Sequence, residues 1–113
     1  MGAKPIPRHL LLHRVQYQAP VVDGGWNTEP ADPITISNVR VSTPTVGEFV
    51  ARTSIKDNID VRFVLYLDAV HSSPFIAMEE RGRVTWEGQA YEIVRVSPMY
   101  DDASLHHYEV GLR

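Results

Sequence analysis

Apolar and polar residues alternate with a period of two in several short stretches, the pattern of half-buried β-strands rather than helices. Leu11, His13, Val15 and Tyr17 share one face, with Arg14, Gln16 and Gln18 on the other. Ile34 and Ile36 are followed by Val39 and Val41, so the apolar parity flips at Ser37-Asn38. A β-bulge there returns both pairs to one face. The most apolar stretch is VRFVLYLDAV, residues 61–70, in which Val61, Phe63, Leu65, Leu67 and Ala69 alternate with the partly apolar Val64, Tyr66 and Val70. That pattern predicts a central strand buried on both faces. Its β-branched and aromatic content disfavours the competing helix. Residues 83–87 and 89–97 flank Glu87-Gly88, a tight hairpin turn. His106, Tyr108, Val110 and Leu112 alternate with His107, Glu109 and Arg113, so the last residues are expected to lie in the sheet. The one helix expected is short: Ser73 as cap, Pro74 at the first position and 75–80 as its body, ending near Gly82.

These elements predict a mainly β fold, a small antiparallel β-barrel or sandwich of about six strands with long loops. With 113 residues the chain is expected to form a single domain, 1–113. Two connections are long: 19–33, which holds Asp23-Gly24-Gly25 and Trp26, and the polar segment 44–60. Trp26 serves either as a lid on the core or as an anchor for a partner. For 44–60 the ordinary alternative is a solvated hairpin.

Composition narrows the function classes. Apolar residues at 43% and charged residues at 22% fit a folded domain and argue against intrinsic disorder. The net charge of −3 argues against a polycationic nucleic-acid binder. The absence of cysteine removes disulfides, thiolate catalysis and cysteine-ligated metals. No apolar stretch approaches the roughly 20 residues of a membrane-crossing helix. Leu10, Leu11 and Leu12 are too few for a signal-peptide core, so synthesis is expected to be intracellular.

Candidate chemistry is sparse. His9 and His13 are four apart, but on a strand that spacing is about 13 Å. His106 and His107 are adjacent and are expected on opposite faces of a strand. No HExxH spacing occurs, no G-x-S-x-G surrounds Ser72, Ser73, His71 and Asp68, and Asp23-Gly24-Gly25 lacks the lysine of a phosphate loop. The acidic pairs Glu79-Glu80 and Asp101-Asp102 read as solvated turn residues. The residues therefore indicate a binding or structural module rather than an enzyme.

The ordered set KPIPRHLLLHRVQY, DGGWN, DPITISNVRV, LYLDAVHSSPF, VTWEGQAYEIVRVSPMYD and LHHYEVGLR resembles the minor capsid proteins of tailed phages and prophages of Gram-positive bacteria. The resemblance spans nearly the whole chain, from Lys4 to Arg113. It implies a head-completion, or stopper, protein of the neck. Such a protein forms a homo-oligomeric ring, with the portal and adaptor rings above it and the tail terminator and tube below. The ring closes the channel after packaging, holds the double-stranded DNA without reading its sequence, and receives the tail. The resemblance implies location in the virion neck after assembly in the host cytoplasm. It implies no catalytic residue, cofactor, metal or membrane partner. On this reading 44–60 is the channel-facing loop, with Glu48, Arg52, Lys56, Asp57 and Asn58 as its polar residues. Arg52 and Lys56 contact either DNA phosphates or neighbouring subunits, and Trp26 anchors a neighbour or the adaptor. Acidic channel walls would keep DNA from sticking as it leaves. The alternatives are a tail terminator or another neck protein, a small hydrolase or metal enzyme using the histidines, and a ligand-binding module with Trp26, Trp86 and Tyr100 as a stacking platform.

Overall fold

The structure, a computed structural model, describes residues 5–20, 32–43, 61–101 and 104–113. After a 3-10 turn, Arg8–Leu10, six strands follow. They are β1 (His13–Gln18), β2 (Ile34–Ser42), β3 (Phe63–Asp68), β4 (Arg83–Trp86), β5 (Gln89–Asp101) and β6 (Ser104–Leu112). They pair antiparallel in the closed order β1-β2-β3-β6-β5-β4, with β1 and β4 completing the ring. Of the barrel and the sandwich that the alternation allowed, the fold is the barrel.

The alternating residues fill its interior. Val15 and Tyr17 from β1, Val39 and Val41 from β2, Leu65 and Leu67 from β3, and Val110 and Leu112 from β6 meet there, each less than a tenth exposed. Strand β3 is buried on both faces, since outward-facing Val64 and Asp68 are as inaccessible as Leu65. Asn38 is the extra residue of the expected bulge: Arg14 faces Ser37 while His13 faces Val39. Its φ of 59° lies in the left-handed region, which Asn tolerates better than most residues. The bulge also docks the chain that follows β3. The Asn38 amide donates to the His71 carbonyl, and the Ser72 hydroxyl donates to the Asn38 carbonyl at 2.6 Å. Glu87 and Gly88 form the β4–β5 turn with φ of 50° and 79°, the signs of a type I′ hairpin.

Antiparallel connectivity sorts the connections by end. The strands that bracket 19–33, β1 and β2, meet where Tyr17 faces Ile34. The strands that bracket 44–60, β2 and β3, meet where Ser42 faces Val64. Those two places lie at opposite ends of the barrel, separated by the nine residues of β2, roughly 25–30 Å. The β5–β6 hairpin and residues 69–82 share the first end. The β4–β5 turn shares the second, together with edge-on contacts of Trp86 with His13 (5.3 Å) and Phe63 (5.4 Å). Trp86 is thus packed, partly buried, against the core, and the whole of β5 separates it from Tyr100, so these two do not form one stacking platform.

The expected helix at 75–80 does not form; residues 75–79 have no regular secondary structure. Isolated helices this short gain too few hydrogen bonds to offset nucleation, and here tertiary contacts hold the chain open. Phe75 stacks on Tyr108 at 5.2 Å, Met78 is buried in the core, and the Glu79 N–H donates to the Tyr17 hydroxyl at 3.2 Å. Burial of the Tyr17 phenol pushes its pKa up. Gly82 closes this segment under close approach. A Cβ there would lie 3.0 Å from the Glu79 carbonyl oxygen, 3.1 Å from that of Gln18 and 3.1 Å from Tyr17 Cε1. Two of these neighbours are backbone and cannot swing aside. Gly82→Ala is therefore expected to lower stability by about 1–3 kcal/mol, read as an earlier midpoint in urea unfolding at unchanged m-value.

Candidate functional site

The outer face of β3 and β6 carries polar groups that are buried despite pointing away from the core. Tyr66 and Asp68 face Glu109 and His107 in register. Asp68 is fully buried, and Glu109 is nearly so. One Asp68 carboxyl oxygen accepts from the N–H groups of Val70 and His71, each at 2.9 Å, which shapes the turn after β3. The other accepts from the Ile6 N–H at 2.9 Å and ties the N-terminal segment across the outside of the sheet. Arg40 adds a second tie, donating to the Leu10 carbonyl at 3.3 Å. The Asp68 N–H itself donates to the Ser72 hydroxyl at 2.8 Å, linking this node to the β2 bulge.

Histidines 106 and 107 are not on opposite faces as their adjacency predicts. On β5, Met99 faces His107 while Tyr100 faces Leu105, so His106 is the extra residue of a bulge in β6. The bulge brings the two rings together edge-on, with centroids 5.0 Å apart and Nδ1 atoms 2.8 Å apart. His107 Nε2 lies 2.9 Å from Glu109 Oε2. A glutamate that accepts there places the His107 proton on Nε2 and a lone pair on Nδ1. His13 is locked differently: its Nδ1 accepts from the Val41 N–H at 3.0 Å. His9 is exposed on the 3-10 turn. Among the described residues, no group of three or more His, Cys, Asp or Glu side chains is arranged to hold a metal ion.

Clefts lie on both sides of the N-terminal segment. One, of about 210 Å³, is lined by Pro5, Val70, Leu105 and His106 among others. The second, about 300 Å³, is lined by Ile6, Arg40, Ser42, Tyr66 and His107. Val70 is 68% exposed, and Tyr100, which faces Leu105 across the β5–β6 ribbon, is 67% exposed. The barrel end at which Tyr17 faces Ile34 therefore presents exposed apolar side chains at Val70 and Tyr100. A third cleft, about 260 Å³, lies on the far outer face among Arg14, Gln16, Thr35, Thr85 and Glu87 and is polar. Asp68, His71 and Ser72 meet, but through backbone groups that shape the turn rather than as a nucleophile and its base. Trp26, Glu48, Arg52, Lys56, Asp57 and Asn58 lie outside the described residues.

With this geometry in place, the sequence profile of the minor capsid protein family matches residues 7–112, nearly the full chain. The chain belongs to that family. No curated protein matches it. Membership in the minor capsid protein family supports a structural role in a phage particle. Among the described residues no helix is long and apolar enough to cross a membrane. Burial of both faces of β3 was expected from its apolar stretch, but alternation did not mark Asp68 and Glu109 as polar groups buried on the outer face. The one available signal was Asp68 at the end of the most apolar stretch, followed by a Ser-Ser-Pro break.

Proposed function

We propose that this minor capsid protein is the head-completion, or stopper, protein of a long-tailed phage neck. Copies form a ring under the portal and adaptor, close the channel after packaging, retain the DNA and present the surface on which the tail docks. The observation that supports the reading is that the strand ends bracketing 19–33 and those bracketing 44–60 lie at opposite ends of a closed barrel. A subunit between two layers needs a stiff body with contacts above and below it, and many copies multiply weak contacts into a firm ring. In this assignment 44–60 faces the channel with Glu48, Arg52, Lys56, Asp57 and Asn58. The 19–33 connection, with Trp26, works beside the apolar rim of Val70 and Tyr100 toward a neighbour or the adaptor. The excess of acidic over basic residues, 14 against 11, keeps affinity for passing DNA low.

The test is deletion of the gene from its phage and electron microscopy of the lysate. The expected result is heads that package DNA and lose it, beside complete unattached tails. Complementation with the Trp26→Ala chain should give the same defect while the isolated protein stays folded. Normal infectious virions from the deletion would overturn the proposal.

A further inference from the structure

The β6 bulge has created a pair of nitrogen ligands. We propose that His106 and His107 form a two-histidine site for a divalent transition cation of the zinc type, with Glu109 as the positioning residue.

Three features of the geometry support this. First, the His107 Nδ1 lone pair is fixed by the 2.9 Å contact between its Nε2 and Glu109 Oε2. A carboxylate behind the far nitrogen of a ligating histidine sets its tautomer and makes it a better ligand. Glu109 can do this reliably because it is itself nearly fully buried. Second, His106 Nδ1 already points at that lone pair from 2.8 Å. With Zn–N bonds of about 2.0–2.1 Å and a tetrahedral angle, two nitrogens on one zinc sit about 3.3 Å apart. The nitrogens need to part by about half an ångström, and each ring must turn by about 35° so that both lone pairs converge on the cation. The cation replaces the Nδ1 proton shared between the rings, and neutral His106 carries its proton on Nε2 instead. That exchange runs through solvent and releases no net proton. Third, His106 lines the solvent-open cleft of about 210 Å³ together with Asp101, which gives a cation a path of entry. Two protein ligands leave the remaining positions to water, so the site is open rather than closed and structural.

Zinc chloride titrated calorimetrically into the untagged, metal-free full chain at neutral pH tests this. One zinc per chain is expected. His106→Gln and His107→Gln should each abolish binding, and Glu109→Gln should weaken it by about 10–100-fold. His9→Gln should leave it unchanged. Nitrogen NMR of the wild-type imidazoles supplies a readout that needs no variant: zinc should shift the Nδ1 resonances of His106 and His107 and spare those of His9. No binding by the wild type, binding that survives His106→Gln and His107→Gln, or unshifted Nδ1 resonances would overturn the proposal.

Discussion

Asp68→Ala should cost about 3–5 kcal/mol, a large part of the roughly 5–15 kcal/mol that holds a domain of this size together. The carboxyl group accepts from Ile6, Val70 and His71, all at 2.9 Å, in a place with no exposure to solvent. Alanine leaves three backbone donors without acceptors and opens space beneath the N-terminal segment. Asp68→Asn separates the two effects. It keeps the shape but turns one acceptor into a donor aimed at an N–H, so a loss of about 2–3 kcal/mol should remain. Because Ile6 is one of the three donors, the variant should also free the N-terminal segment before the barrel unfolds. Hydrogen exchange would show this as faster exchange at Ile6 and its neighbours under native conditions. Unchanged exchange there would mean that Asp68 shapes only the turn.

The second large effect lies in the interior. Leu65 is fully buried, in register with Val41 on one side and Val110 on the other. The surrounding strands belong to a closed ring and cannot collapse freely onto a cavity. Leu65→Ala should therefore fall in the usual range for such truncations, about 2–5 kcal/mol, and toward its upper part. Chemical denaturation measures it. A loss below about 1 kcal/mol would show that the barrel wall yields.

These two positions also mark what could and could not be read from the sequence. Leu65 was legible: alternation identifies the inward side of a strand, and the most apolar stretch became the strand buried on both faces. The bulge at Asn38 was legible too, because it shifts apolar parity by one. So was the turn at Glu87-Gly88, whose glycine suits positive φ. Asp68 was not legible as a buried node. Alternation says which residues point away from the core and nothing about what crosses over them. The bulge at His106 left no trace, since Leu105, His106 and His107 carry no parity signal of the Ile36–Val39 kind. Closure depends on β1 meeting β4, more than 60 residues away, and no local pattern encodes such a pairing. The helix expected at 75–80 was a local preference overruled by Phe75, Met78 and Tyr17.

Closure has a consequence for how this chain can attach to anything. In an open sheet β1 and β4 would be the margins, each offering a row of backbone donors and acceptors to a passing strand. Here they satisfy each other. Near its far end β5 pairs with β6 alone among the described strands, and there Pro98 contributes no N–H. Adhesion by adding strands, the route by which crowded β-proteins run into fibres, is thus closed off along most of the ladder. Where the ladder is paired on both sides, what binds this barrel must grip it by its side chains.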